Sequence, residues 1–585
     1  MNPWLDGLLV FFENIRIVLV ILLVILWGFL LTRGLLKRFL GDSITEADLL
    51  SLSSAGWVVP VLFLSLLTFG VSIIFNAVMG GIFAGAVILI SFISLREKID
   101  WPYFLLFSII LFASIILPLA FIKNLSLPLY FDSVEHYRLI DVIIRSYQLG
   151  TPIESSGSFY HLGFHFVSAG IAYFSHTNIA RFMLVFGQVV LAILPTSLFF
   201  VVRRETGSIP AAFLSSLLVG FGFHMPGHLM NWGKYPALLS LVCILFVFGL
   251  AYMIYRPAQF GKRKVLFVLL GFSILASALI HTRTLILYGL MFIAALMTLM
   301  WSRLSKTYKL IGWGLLLTFF IALIYSTQIT PPLDLLFAGY LKDDSWMLIL
   351  ILVLAVFSAV YYTESTFFLL LWFALCGLCL FIPITLPTYG VQTLLDRPFV
   401  QMFSCIPLSI LGGLGLSGLM KTTIRLLPDL KLVQHFVTLF IFGFVLLNAA
   451  LHYKFYPSDC CNFVSRDDLA AFAWMDNNIP SDAKILAAST GLYVTSYESS
   501  QTPTGVDAGI WIPPLLSRPI VFAGRDIRFD SDEVHTDLCE QEVDYIYADG
   551  TSQSFDFQQL DGLPEWYLQM FALPSARVYK IAACG

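Results

Sequence analysis

From residue 14 to residue 453 the chain is largely a succession of apolar stretches, each about 17 to 25 residues long with few charges. In hydrocarbon a backbone must satisfy its own N–H and C=O groups. A run of that length does so as a helix about 30 Å long, the thickness of the apolar core. The repetition of such runs points to a polytopic helical bundle. The stretches lie near 14–32, 53–75, 78–95, 102–122, 180–202, 208–224, 235–255, 265–281, 284–301, 309–327, 345–361, 365–385, 398–419 and 432–453. They predict about fourteen crossings. The segment 160–176 is a further, shorter candidate that carries His161 and His165.

Composition agrees. Charged residues make up 12% of the 585 and hydrophobic ones 58%, whereas soluble proteins average roughly 25% charged. The 53 Phe and 24 Tyr suit lipid-facing packing and interfacial belts. A net charge of −3 with no basic stripe gives no sign of a nucleic-acid partner. Acidic residues before the first span, and no small-residue cleavage site after it, read as a retained helix rather than a signal peptide.

Lys/Arg clusters follow the spans at Arg33–Arg38, Arg96–Lys98, Arg203–Arg204, Arg256–Lys264, Arg303–Lys309 and Lys421–Lys431. All fall on one face if 160–176 makes no net crossing and is instead a juxtamembrane or re-entrant helix. The loops 123–159, 224–235, 281–283, 328–344 and 386–397 then share the outer face with the tail after Tyr453. The expected layout is a multi-span domain over 1–454 and a soluble, extracytoplasmic α/β domain over 455–585, in a protein of the plasma membrane.

In the tail, Asp467–Asn478 reads as an amphipathic helix. The runs AKILAAS, RPIVFAG, VDYIYADG and ARVYKIAA alternate like strands. P-loop, HExxH and GxSxG motifs are missing from the sequence. The GLGLSG at Gly413–Gly418 lies inside an apolar span, where close helix packing explains it better than a nucleotide does. Cys243, Cys376, Cys379 and Cys405 sit in spans and read as core thiols. Cys460, Cys461, Cys539 and Cys584 lie in the tail, where they can pair if it is outside the cell.

The polar island LYFDSVEHYRLI, Leu129–Ile140, carries Asp132, Glu135 and His136 directly after a span. Ionisable groups at such a depth are functional candidates. Asp132 and His136 share a helix face, with Asp132 near the N-terminal end, where the dipole favours a carboxylate. Asp132 can act as a base, bind a divalent cation, or simply cap the helix. A second cluster, FHMPGHLMNWGKYP, offers His224, His228, Asn231, Lys234 and Tyr235. Its two histidines are spaced for a metal but lack a third ligand; an ordered loop is the alternative. Arg283 and Arg397 stand at the outer ends of spans, suited to phosphate contacts or to snorkelling. Trp511 and Arg518, in DAGIWIPPLLSR, can touch a sugar and an anion, or pin the tail onto the membrane loops.

The island, the His-bearing YHLGFHFVSAGIAYF followed by an Arg-led span and RRETGS, and the IWIPPLLSR segment of the tail together make the chain resemble the GT-C superfamily of membrane glycosyltransferases. The likeness covers most of the chain from about residue 100. It implies a polyprenyl-phosphate-linked sugar donor, an acceptor hydroxyl on a glycan, lipid or protein, and a lipid bilayer as setting. It also implies that Asp132 is the catalytic base and that Lys234, Arg283 and Arg397 hold the lipid phosphate. The chain departs from the family plan in three ways. Three spans precede the one before Asp132, a WWDYG-type signature is missing, and the second loop has His and Lys where an acidic pair is usual. No resident cofactor is expected. A transporter and a glycan polymer ligase are the competing functions.

Overall fold

The computed structural model describes residues 2–94, 99–153, 161–256, 263–330, 333–386, 390–427, 431–491 and 503–584. The chain is mainly helical. Among the described residues, ten helices are long and apolar enough to cross a membrane, and the count is eleven if Leu333–Lys342 and Ser345–Tyr361, bent by 92°, form one broken span. Ala77–Phe92, Lys264–Ile280 and Thr363–Leu378 are apolar but shorter. Each apolar stretch expected from the sequence is helical over most of its described length; ten or eleven of the described helices are long and apolar enough to cross, beside the about fourteen crossings expected. The stretch 365–385 divides. Its helix ends at Leu378, and Pro383–Leu386 forms a hairpin with Gly390–Thr393. Pro383 cannot continue a helix, and β-branched Ile384 and Thr385 favour extended backbone.

Three spans form the centre. Ile179–Thr206, Tyr235–Tyr255 and Arg397–Leu426 have 89%, 83% and 94% of their most apolar stretches buried, against 11% for Lys306–Ile329 at the periphery. The glycines of GLGLSG explain part of this packing. A Cβ on Gly413 would stand 2.8 Å from the Ala211 carbonyl, and one on Gly418 would stand 2.6 Å from that of Phe357. Close helix packing is therefore what the motif does.

Helix Gly163–Ser175 has 13 residues. It rises about 20 Å, too little to cross the hydrocarbon alone, as a non-crossing element requires. The central span Ile179–Thr206 begins beside the tail domain, where Ala180 joins the tail's core. It ends at Arg203 and Arg204, which both pair with buried Asp48, at 3.1 and 2.6 Å. Arg256 and Glu205 pair near the same end at 2.9 Å.

The tail forms a mixed sheet. Ile485–Gly491 runs parallel to Ile520–Gly524 and Tyr545–Asp549 and antiparallel to Pro503–Gly505. Tyr545–Asp549 pairs with Ala576–Ile581, which pairs with Tyr567–Leu573. The four strands read from the sequence are present, and two more complete the sheet. The helix Arg466–Asn478 opens with a capping box between Ser465 and Asp468. Cys539 is bonded to Cys584 and Cys460 to Cys461, while the four span cysteines are free and buried.

Candidate functional site

The polar residues that meet do so at the ends of four helices, beside the tail. Tyr130–Leu149 begins at the polar island, with Asp132 in its first turn. Lys234 is the N-cap of Tyr235–Tyr255, Arg283 that of Thr284–Ser302, and Asp396 that of Arg397–Leu426. Helix N-termini carry partial positive charge, so this convergence favours anions.

The sequence explains each placement. Leu139, Ile140, Ile143 and Tyr147 are buried and hold the amphipathic helix on the bundle. The 224–235 loop closes on that helix through Gly233, whose φ of +62° suits glycine. A Cβ there would stand 2.8 Å from the Leu129 carbonyl and 3.0 Å from the Ser133 nitrogen. The next residue, Lys234, sets its ammonium directly on the Asp132 carboxylate. Arg283 Nη1 lies 2.5 Å from Asp396 Oδ2, and Asp396 Oδ1 accepts from the Phe399 nitrogen at 2.8 Å. Asp396 is within electrostatic reach of Lys234, and Arg397 within reach of Asp334, Asp396 and Tyr130. Asp132, Lys234 and Arg283 keep 22%, 24% and 26% of their side chains open to solvent. The cluster is therefore reachable from water.

Burial drives the Lys234 ammonium toward neutrality, but the Asp132 carboxylate outweighs it, and the net pKa lies above the ordinary lysine value. Tyr130, two residues before Asp132, has φ +66°, a conformation that costs a tyrosine about 1–2 kcal/mol. Its ring rests 4.0 Å from Phe131 and 5.8 Å from Phe463 of the tail.

Beside Lys234 lies a layer of histidines. His136 Nδ1 and His165 Nε2 are hydrogen-bonded at 3.1 Å, and the His161 and His281 rings are 4.6 Å apart. Burial lowers the pKa of each: His161 to about 4, His165 to about 3, His136 and His281 well below normal. All are neutral near pH 7. His281 also stacks on Phe399 at 5.0 Å.

The sequence candidates therefore divide. Asp132, Lys234, Arg283 and Arg397 come together. His136 and His165 are buried, His161 is partly buried in the same layer, and His136 lies within electrostatic reach of Lys234. Tyr235 is also buried and stacks on Phe164, 5.9 Å away. Glu135 is taken up by Arg138, one turn further along the helix, at 2.6 Å. His224 pairs with Asp344 at 2.5 Å, and His228 lies 4.8 Å from the Trp232 ring. Asn231 accepts from the Ser458 nitrogen at 2.7 Å and ties the loop to the linker. These three hold the loop, the structural alternative for that cluster. Trp511 is buried 5.6 Å from Tyr137, inside a core that joins the tail to Leu127, Phe131 and Val134. Arg518 donates to carbonyls at the end of Arg466–Asn478, including Ile479 at 2.6 Å. Both pack within the protein, the alternative that the sequence left open for them.

Asp396, Tyr130 and His281 are members that sequence reasoning missed. Asp396 had a signal: Asp-Arg-Pro ahead of an apolar run is a helix start with proline in its first turn.

This arrangement can bind an anion through Lys234, Arg283, Arg397 and the helix N-termini, with a carboxylate placed to take a proton. An ammonium already stands where a divalent cation on Asp132 would bind. Among the described residues, the ligand atoms close enough to share one ion belong to His535, Cys539 and Cys584, whose cysteines are joined as a disulfide. A cavity of about 900 Å³ lies elsewhere, between Trp4, Leu117, Phe221, Ala449 and Tyr453.

No curated protein matches the chain. A family described only as being of unknown function (DUF6541) matches residues 22–336. That range takes in Asp132, Lys234, His281 and Arg283 and stops before Asp396 and Arg397. The match spans more than half of the 585 residues, and the protein belongs to this family of unknown function.

Proposed function

We propose that the protein is a membrane glycosyltransferase that moves a sugar from a polyprenyl-phosphate carrier to an acceptor hydroxyl at the outer membrane face. The observation that carries this reading is the Asp132–Lys234 contact, set beside Arg283 and Arg397 at converging helix N-termini. A sugar on a lipid phosphate already has its leaving group. The enzyme needs a base for the acceptor hydroxyl and cations for the departing phosphate. Asp132 is the base, and Lys234, Arg283 and Arg397 stabilise the phosphate. Direct displacement inverts the anomeric centre. The lipid reaches the cluster from the bilayer, and the tail, fixed by Trp511 on Tyr137, stands over it on the acceptor side.

The test is sugar transfer in proteoliposomes supplied with polyprenyl-phosphate sugars. Asp132→Asn is expected to lower transfer by about 10²-fold or more while the protein still folds. Full activity in that variant rejects the reading. Product size separates a single-sugar transferase from a polymer ligase, because a ligase adds a long chain in one event.

A transporter draws support from one feature, the 92° break between Leu333–Lys342 and Ser345–Tyr361, since broken helices frame many transport sites. Uptake of solute into liposomes free of lipid-linked sugar would favour it.

A further inference from the structure

Lys234 does two jobs that conflict. Phosphate binding needs its ammonium free, yet the ammonium rests on Asp132. A base needs its lone pairs free, yet a cation covers it. Arg283 is likewise held, by Asp396. Arg397 differs: among the described residues it has no ion-pair partner within 4 Å. An arriving anion therefore meets Arg397 as the available cation and competes for the other two. The loop packs closely on the helix at Gly233, against Leu129 and Ser133. The lysine side chain can move. It is a point charge on a flexible four-carbon stem, and 24% of it faces solvent.

We propose that Lys234 exchanges partners. In the resting protein it covers Asp132; the phosphodiester of the lipid-linked sugar, seated on Arg397, draws it away, and the carboxylate is exposed as a base only once the donor is bound. This rests on the reading of the cluster as a glycosyltransferase site and adds an order of events to it. The exchange also answers a charge problem. A phosphate arriving beside an uncovered carboxylate is repelled, whereas one that takes Lys234 as it arrives keeps an ammonium between the two anions.

The test is binding, measured apart from turnover. Farnesyl phosphate is titrated into the detergent-solubilised full chain by calorimetry, and inorganic phosphate is the second probe. Asp132→Asn removes the competitor and is expected to tighten farnesyl phosphate binding about tenfold, one ion pair's worth of competition. Lys234→Met is expected to weaken binding, and Asp132→Asn placed on Lys234→Met to give a different gain, from relief of charge repulsion alone rather than release of the lysine. A gain for both probes marks a phosphate site; a gain for farnesyl phosphate alone marks one that also needs the lipid chain. Unchanged or weaker binding in Asp132→Asn overturns the exchange, even where transfer is lost and the glycosyltransferase reading stands. Tighter binding with transfer retained rejects that reading and leaves the competition in place. If Asp132→Asn does not fold, Asp132→Ser, a smaller residue without the charge, reads the same competition.

Discussion

Gly233 lies against Ser133 with no room for a methyl group. A Cβ at 233 would stand 3.0 Å from the Ser133 nitrogen, and the φ of +62° is itself unfavourable for any other L-residue. This contact fixes the start of the Tyr235–Tyr255 span beside the Asp132 turn. Gly233→Ala is expected to destabilise the protein by about 1–3 kcal/mol and to weaken phosphate binding, because Lys234 is displaced with it. A melting curve in detergent, read together with farnesyl phosphate affinity, checks both. A variant as stable as the parent would show that the loop approaches differently.

Two acids three residues apart are given opposite fates. Asp132 pairs with Lys234, while Glu135 pairs with Arg138 one turn further along the helix. Asp132→Asn is expected to lower transfer by about 10²–10⁴-fold, the range for loss of a general base. Glu135→Gln is expected to stay within about threefold of the parent, since an exposed ion pair contributes little. Equal losses would mean that the two carboxylates act together.

Much of this was legible in the sequence, for physical reasons that differ by element. Apolar runs are long-range signals, so the stretches that became helices were visible, as was the packing role of the glycines in GLGLSG. Which runs are long enough to cross was less visible, because Pro383 divides one and others end short. Asp132, Lys234, Arg283 and Arg397 stood out because charge in an apolar chain is costly. Glu135, His224 and His228 stood out for the same reason, but their pairing with Arg138, Asp344 and Trp232 depends on helix phase and on loops far apart in sequence. Asp396 was overlooked because its partner, Arg283, is 113 residues away.

The histidine layer makes the membrane domain acid-sensitive. Burial holds His161 at about 4 and His165 at about 3 in the folded state, against the ordinary value near 6.5. Between pH 6.5 and 4 the unfolded chain binds protons that the folded one refuses. Stability therefore rises with pH across that window and is lost as pH falls through it. Melting temperatures at pH 7.5 and 5 are expected to differ in that direction, with a smaller difference in His161→Gln. A flat pH profile would count against a buried, neutral layer.

Arg518 is expected to matter for stability rather than for ligand binding. Its side chain is 4% exposed, and it donates to the Asp476, Ile479 and Pro480 carbonyls at the end of a helix. Arg518→Ala should destabilise the tail domain by about 2–4 kcal/mol and leave farnesyl phosphate affinity near the parent value. A change in affinity without loss of stability would return Arg518 to the ligand.

The tail domain carries the opposite pH sign. Asp507 and Asp549 are buried near each other: Asp507 accepts from the Ser554 hydroxyl at 2.6 Å, and Asp549 from the Ala508 nitrogen at 3.1 Å. Burial, and for Asp507 also the neighbouring Asp549, raises both carboxyls well into the range where they resist ionising, with Asp549 at about 6. A carboxyl raised above its unfolded value near 3.9 stabilises the fold in acid, and that contribution is lost as pH rises through the folded value. The sheet is therefore expected to open more readily at pH 7.5 than at pH 5, while the membrane domain tightens over the same interval. Hydrogen exchange of the Tyr545–Asp549 strand in the full-length protein, corrected for the intrinsic pH dependence of exchange, reads this directly. Asp507→Asn, which removes one of the two charges, should raise protection at pH 7.5 and leave pH 5 nearly unchanged. Protection that grows with pH in the parent would mean that the pair is ionised and satisfied rather than protonated.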